Sequence, residues 1–218
     1  MNLPKKRNFN WPLKPFGSAE TEINQLSTGQ IEVIIRHEII KGITVEMLYW
    51  WFRHFTDMTI EVNGKTYPAY FVWHPNDHIG VTAFKSEEGR PMKAGDHIRI
   101  EEAFQRNAKY LVSEKALVSE LSTQNMGLKG HALGQTILHL RHSFNDVEGG
   151  VQYHSRMLLG LEKGLLKPFI NNLILPRRFN SEKARAWLIH NVEEVGYFEN
   201  FLAKLYARRE SGKHISLD

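Results

Sequence analysis

The stretch "NSEKARAWLIHNVEEVGYFENFLAKLYARRE", residues 180–210, constrains the fold more than any other part of the sequence. Apolar side chains recur every three or four residues from Trp187 to Leu205, which predicts a long amphipathic helix. Asn180 or Ser181 is placed to cap its N-terminus. A helix with such a stripe is stable only when another element covers it, so the preceding chain must supply a large apolar surface.

That preceding chain reads mostly as strands. "GQIEVIIRHEII", residues 29–40, alternates and is rich in β-branched side chains, and residues 78–160 form further alternating segments separated by glycine. "GITVEMLYWWFRHF" predicts a short aromatic helix with Thr44 as its N-cap. The order of elements predicts an α+β fold in which a curved antiparallel sheet wraps the long C-terminal helix and leaves a cavity between them.

Two local signals divide the chain further. Asn63 and Gly64 lie between apolar runs and predict a tight turn. "LEKGLLKPFINNLIL" predicts a short helix that stops before Pro176. No repeat or linker interrupts the sequence, so we expect an irregular N-terminal arm over residues 1–20, one domain over 21–210 and a tail over 211–218.

Composition excludes several kinds of partner and site. The 218 residues contain no cysteine, which removes disulfides and thiolate ligands and leaves the eleven histidines as candidate metal ligands. The net charge is +4, but lysine and arginine are scattered, so we expect no nucleic-acid partner. The sequence has no signal-peptide pattern and no apolar run of membrane-spanning length. We therefore expect a cytoplasmic protein with no membrane partner.

The apolar stripe of the long helix contains His190 and, one turn later, Glu194. Residues four apart lie one above the other on a helix, so the imidazole and the carboxylate can reach the same point. This pair is half of a site for a divalent metal such as zinc. Two alternatives remain open: a buried hydrogen bond between the two side chains, or a helix rotated so that Glu193 faces inward instead.

Further ligands would have to come from the sheet, and "YFVWHPNDH", residues 70–78, offers the first. It contains His74 and His78, and Asp77 could orient a ligating imidazole from behind. His78 begins a predicted strand, whereas His74 follows an aromatic run and could instead cap a turn.

The strand "HIRIEEAF", residues 97–104, offers a carboxylate. Alternation places Glu102 on the same face as Ile98 and Ile100, and it turns Glu101 toward solvent.

The hairpin predicted over residues 137–159 offers a third polar group inside the sheet. Alternation turns His142 inward together with Phe144, and it turns His154 outward. A lone inward histidine in a sheet is more often a core residue with satisfied hydrogen bonds. Here it shares the predicted cavity with other polar groups, which makes it a candidate for proton transfer.

Taken together, these segments resemble the 2,4-diacetylphloroglucinol hydrolase and phloretin hydrolase family. The resemblance covers about residues 29–207, nearly the whole chain. It is carried by "KGITVEMLYWWFRHF", "YFVWHPNDH", the strand that ends in Glu102, "GGVQYHSRMLLG" and "HNVEEVGYFENFLAKLY". The resemblance implies a helix-grip fold like that of Bet v 1 and START domains, with one zinc ion held by two histidines and two glutamates.

Carried onto this chain, the resemblance implies specific residues. The metal ligands would be His78, with His74 as the alternative, Glu102, with Glu101 as the alternative, and both His190 and Glu194. The histidine that transfers protons would be His142, with His154 as the alternative, and Tyr70 would contact the substrate. The family has an aromatic residue where this chain has Met157, and this departure leaves the exact substrate open.

The chemistry implied by the resemblance is hydrolysis of the carbon–carbon bond between a polyhydroxylated aromatic ring and an acyl group. The metal would activate the ketone or a water molecule, and His142 would move the proton. We expect Trp50, Trp51 and Phe71 to wall the substrate pocket. The resemblance also suggests a homodimer.

Two other functions are consistent with the same sequence. A non-catalytic helix-grip protein could bind an aromatic or other hydrophobic small molecule in the cavity, with no stoichiometric metal. An interaction protein could use the basic arm over residues 1–15, but that reading leaves the inward polar residues unexplained.

Overall fold

The computed structural model describes residue 3 and residues 5–218, so three residues of the predicted arm, at positions 1, 2 and 4, lie outside it. Twelve strands occur in the described part: β1 (Ala19–Gln25), β2 (Ile31–His37), β3 (Ile40–Lys41), β4 (Thr59–Val62), β5 (Lys65–Pro68), β6 (His78–Phe84), β7 (His97–Ala103), β8 (Leu111–Leu121), β9 (Asn125–Ala132), β10 (Gln135–Val147), β11 (Gly150–Leu159) and β12 (His214–Ser216). The helices are α1 (Val45–His54), α2 (Ala69–Trp73), α3 (Lys167–Phe169), a π-helical turn (Ile170–Ile174), α4 (Leu175–Arg178) and α5 (Ser181–Ala207).

Most strands form one large antiparallel sheet. Its order is β1-β2-β11-β10-β9-β8-β7-β6, with β3 beside β11, and β12-β4-β5 form a separate small sheet. The 27-residue helix α5 packs against the large sheet, and most of its inward side chains are buried. A large antiparallel sheet with a long C-terminal helix defines the helix-grip fold, so the predicted fold class is confirmed.

The local signals at the start of the helices behave as expected. The Thr44 side chain accepts a hydrogen bond from the backbone N–H of Met47, and the Asn180 side chain accepts one from Lys183. Each bond satisfies an N–H group that the first helical turn leaves without a partner. Both predicted caps are therefore confirmed, and Asn180 rather than Ser181 caps α5.

The strand alternation is also confirmed. Glu102 and His142 are buried on the inner face of the sheet, whereas His154 is exposed. Glu101 lies on the opposite face of β7, where it accepts a hydrogen bond from Ser113. The hairpin between β10 and β11 turns at residues 148–149, because Val147 still pairs with Gly150.

The expectation for the helix around residues 167–178 needs correction. The helix after residue 166 does not stop before Pro176, because α4 runs through that proline to Arg178. Pro176 lies just after the π-helical turn, and the backbone stays helical from Lys167 to Arg178, so the proline is accommodated at an irregular point inside one helical segment. The predicted tail contains β12, which pairs in parallel with β4.

A close approach by the N-terminal arm explains Gly196 in the middle of α5. A Cβ atom at this position would lie 2.1 Å from Cγ of Lys14. The arm thus covers the side of α5 that the sheet leaves open, and only glycine leaves room for it. In the described part of the chain, no helix is long and apolar enough to cross a membrane.

Candidate metal centre

Four acidic and imidazole side chains from three separate elements meet at one end of α5. They are His78, Glu102, His190 and Glu194, and one potential ligand atom from each lies within 4.8 Å of those from the other three. All four side chains are buried. These are the four residues that the resemblance implied as ligands, and the fold brings them together.

Sheet pairing and helix periodicity account for this convergence. His78 on β6 is paired directly with Glu102 on β7, which places their side chains on the same face. His190 and Glu194 lie one turn apart on the face of α5 that packs over these strands.

His78 presents an unshared nitrogen lone pair to two carboxylates. Its Nδ1–H donates to the backbone carbonyl of Tyr70 at 2.6 Å, which leaves Nε2 without a proton. Nε2 is 3.2 Å from Glu194 Oε1 and 3.6 Å from Glu102 Oε1, and no group in the described structure hydrogen-bonds to it. Burial lowers the pKa of His78 well below its usual range, so the ring is neutral. A lone pair facing carboxylate oxygens is repulsive unless a cation lies between them, so the donor set fits a divalent metal.

His190 completes the set from the helix side. Its Nε2 is 3.8 Å from Glu102 Oε2 and 3.9 Å from Glu194 Oε2. Burial opposes a charged ring, but Glu102, Asp77 and Glu194 outweigh it and raise the pKa of His190 to about 9. Burial also raises the pKa of Glu194. The surroundings of His190 therefore favour a positive charge, which a metal cation can supply in place of a proton.

Asp77 orients the imidazole of His190. Its Oδ2 accepts a hydrogen bond from His190 Nδ1 at 3.1 Å, so Nε2 is directed at the cluster. The carboxylate also accepts the backbone N–H groups of Gln105 and Arg106, both of which have a left-handed φ of 53°. Burial opposes ionisation of Asp77, but the bond from His190 lowers its pKa below the usual range. Carboxylate–imidazole pairs of this kind typically support a metal-bound histidine.

His74 contacts Asp77 and Glu193, and it is not one of the four clustered residues. Its Nδ1 accepts the backbone N–H of Asp77 at 3.1 Å, and its Nε2 lies 3.2 Å from Glu193 Oε2. Both nitrogens therefore have partners outside the cluster, although His74, Asp77 and His190 are also close enough to one another to form a smaller potential metal site.

Tyr70 holds two of the candidate ligands. Its hydroxyl donates to Glu102 Oε1, and its ring stacks on His78 with 3.7 Å between ring centroids. Burial and the nearby carboxylates raise the pKa of Tyr70 well above its usual value, so the hydroxyl keeps its proton. Tyr70 also lines the cavity, and its contact with a substrate stays a prediction.

A cavity of about 60 Å³ adjoins the cluster. Its lining includes Phe52, Phe55, Tyr70, Trp73, Met126, Leu128, Leu140, His142, Trp187 and Asn191, together with three of the candidate ligands. The expectation that Trp50, Trp51 and Phe71 wall it is wrong. Trp51 packs deeper, between Trp73 and Phe201, and α1 presents Phe52 to the cavity instead.

His142 lies on the cavity wall and has its own buried partners. Its Nδ1 is 2.9 Å from Ser155 Oγ, and Ser155 Oγ is 3.2 Å from His37 Nε2. Burial lowers the pKa of His142 to about 4. Sequence reasoning did not identify His37, Ser155 or Asn191, whose amide donates to Glu194. Alternation in β2, where Val33, Ile35 and His37 share the inner face, was the available signal for His37.

No protein-family model matches this chain, and neither does any curated protein. Several solved structures have a similar backbone. The KanY protein shares 9% identity over 82% of this chain and 98% of its own, with a TM-score of 0.49. A Rhodobacter sphaeroides protein shares 14% identity over 85% and 99%, with a TM-score of 0.45. The major latex-like protein 151 of Panax ginseng shares 12% identity over 74% and 97%, with a TM-score of 0.40.

These similarities are too remote to indicate an activity for this chain. The class of protein is defined by its own coordinates, as a helix-grip protein in which two histidines and two glutamates form a buried cluster beside a cavity.

Proposed function

We propose that this protein is a metal-dependent hydrolase that cleaves the carbon–carbon bond between a polyhydroxylated aromatic ring and an acyl group. The observation that carries the proposal is the convergence of His78, Glu102, His190 and Glu194 beside a cavity that also contains His142. The resemblance to the acylphloroglucinol hydrolases supplies the substrate class. We also propose zinc as the metal and these four side chains as its ligands.

The metal, when bound, would polarise a ketone oxygen or lower the pKa of a water molecule. The protein contributes a rigid donor set, because Tyr70 fixes Glu102 and Asp77 fixes His190. Burial of all four donors excludes bulk water and strengthens their electrostatic interactions.

His142 would transfer the proton that the reaction requires. Hydrolysis places the hydroxyl of a water molecule on the acyl carbon and one of its protons on the ring carbon, and it releases the acyl group as an acid. A neutral imidazole can take the proton from water and return it to the ring carbon. The pKa of about 4 that burial gives His142 keeps this ring neutral near pH 7.

The aromatic wall of the cavity suits a planar phenolic ring. Phe52, Phe55 and Trp73 offer apolar faces and edges for stacking. The cavity of about 60 Å³ is smaller than typical ligand sites of about 300–1,000 Å³. A substrate therefore enters only if flexible wall residues such as Met126 and Leu140 move.

The proposal is tested by measuring metal content and acid release in parallel. We expect about one zinc per chain in the wild type, and loss of zinc in His190→Ala and Glu194→Gln, with circular dichroism to confirm that both variants fold. We expect the wild type to release acetate or another acid from a panel of acylphloroglucinols. Zinc content unchanged in both variants would reject the metal site, and absence of turnover by the zinc-loaded protein would reject the hydrolase.

A second candidate is a non-catalytic protein that binds an aromatic small molecule in the same cavity. The mainly apolar cavity wall favours it, because such walls bind hydrophobic ligands without chemistry. This candidate predicts no stoichiometric metal and predicts that aromatic compounds bind unchanged. The metal measurement therefore separates the two functions.

A further inference from the structure

A buried polar pair lies next to His142 and is not part of the set of candidate ligands. Ser155 on β11 and His37 on β2 are 0% and 5% exposed, and the proposed chemistry gives neither of them a role. Polar side chains inside an apolar sheet cost free energy unless they are hydrogen-bonded, so their arrangement needs an explanation.

Strand register places the side chains of His142, Ser155 and His37 next to one another in a row. His142 is paired directly with Ser155 across β10 and β11. Ser155 is paired with Ile35 of β2, and His37 lies two residues further along on the same inner face. The resulting contacts are 2.9 Å from His142 Nδ1 to Ser155 Oγ and 3.2 Å from Ser155 Oγ to His37 Nε2.

The number of protons in this row restricts its possible states. Burial lowers the pKa of His142 to about 4 and that of His37 to about 3, so both rings are neutral near pH 7. The serine hydroxyl has one proton and can donate it to only one of the two nitrogens that face it. The row is fully hydrogen-bonded only if the other nitrogen carries a proton and donates to the serine oxygen.

We propose that Ser155 and His37 are positioning residues that determine which nitrogen of His142 carries the proton. This inference rests on the proposed role of His142 in proton transfer. When His142 Nδ1 donates to Ser155, Nε2 is left with a lone pair and accepts protons in the cavity. When Nδ1 accepts from Ser155, Nε2 carries the proton and donates it.

The two states are connected by a short proton shift. A proton taken up at His142 Nε2 releases the Nδ1 proton to Ser155 Oγ, which passes its own proton to His37 Nε2. One proton enters the row, and because the pKa of His37, about 3, is lower than that of His142, about 4, the proton passed to His37 returns along the same path.

Nitrogen NMR of zinc-loaded protein with isotope-labelled histidine tests this directly, because protonated and bare imidazole nitrogens resonate far apart. We expect His142 Nδ1 and His37 Nε2 to be of opposite type near pH 7, with assignments from His37→Gln and His142→Gln. Two nitrogens of the same type in the wild type would overturn the proposal. The spectrum needs no substrate, so opposite types without turnover would support the row and reject only the hydrolase.

The variants give a second test. Ser155→Ala should change the tautomer of His142 and, on an acylphloroglucinol, lower kcat by about ten-fold or more with little change in KM. Ser155→Thr, which keeps the hydroxyl, should restore both. Ser143→Ala is the matched control, because Ser143 follows His142 on β10 and points to the opposite face. A His142 spectrum that is unchanged in Ser155→Ala would overturn the proposal.

Discussion

At the scale of single residues, His190 is held from both ends of its ring. Asp77 accepts from Nδ1, and the carboxylates of Glu102 and Glu194 face Nε2. His190, which looked out of place in the apolar stripe of α5, thus has a partner 113 residues away in the chain. A buried carboxylate in such a position is stable when a cation or a proton compensates its charge.

Replacing Asp77 tests how much this support contributes. In Asp77→Asn the hydrogen bond to His190 Nδ1 becomes a weaker one to a neutral amide. We expect zinc affinity to fall by about 10–100-fold, as is typical when such support is lost, measured by competition with a chelator. Glu193→Gln is the control, because Glu193 contacts His74 but none of the four candidate ligands. Equal affinities in Asp77→Asn and the wild type would show that Asp77 does not support a ligand.

Neighbouring glutamates on β7 provide a matched pair of variants. Glu102 is buried in the cluster, whereas Glu101 lies on the opposite face beside Ser113. We expect Glu102→Gln to lose most of its bound zinc and Glu101→Gln to keep about one zinc per chain, measured by elemental analysis. The reverse result would place the carboxylate ligand on the other face of the strand.

At the scale of elements, alternation and helix periodicity predicted which side chains meet inside the molecule. Strand alternation predicted that Glu102 on β7 and His142 on β10 point inward, and both are buried. The apolar stripe of α5 predicted that His190 and Glu194 lie together on its buried face. These patterns are local, because a strand repeats every two residues and a helix every 3.6. The amino-acid sequence alone was therefore enough to predict which side chains lie on the inner faces of the main elements.

Contacts between distant segments could not be predicted in this way. Asp77 was recognised as a residue that could orient a ligand, but no local pattern identifies His190 as its partner. The continuation of the helix through Pro176 was not predicted, because a proline usually marks a helix end and the π-helical turn that precedes it is visible only in the fold.

The packing of the arm on α5 gives a prediction about stability. In Gly196→Ala, the new methyl group would overlap Lys14 and push the arm away. Alanine is favoured over glycine in helices by about 1 kcal/mol, but overpacking costs about 1–3 kcal/mol, so we expect a net loss of stability. Thermal unfolding measures it, and Gly17→Ala is the control because no atom lies within 4 Å of its added Cβ. An increase in Tm for Gly196→Ala would contradict the packing described.

At the scale of the whole molecule, buried neutral histidines make stability depend on pH. His37 and His142 have folded-state pKa values of about 3 and about 4, against 6.5 when unfolded. Between these limits the unfolded chain binds more protons than the folded one. The free energy of unfolding therefore falls as the pH falls from about 6.5 toward about 3.

Removing one of these histidines isolates its share of this effect. We expect His37→Gln to show a shallower loss of stability than the wild type between pH 6.5 and pH 4, measured by denaturant unfolding at each pH. His154→Gln, at an exposed position next to Ser155, should follow the wild type. Identical slopes for His37→Gln and the wild type would show that His37 is not buried in its neutral form.

The central claim is that the convergence of side chains from β6, β7 and α5 forms a metal site. Crystals of the purified protein, with diffraction data collected at the zinc absorption edge, test it most directly. We predict one anomalous peak per chain, enclosed by His78, Glu102, His190 and Glu194, with each donor atom at about 2.0–2.2 Å from it. A zinc-supplemented crystal with these four side chains ordered and no anomalous peak among them would contradict the account.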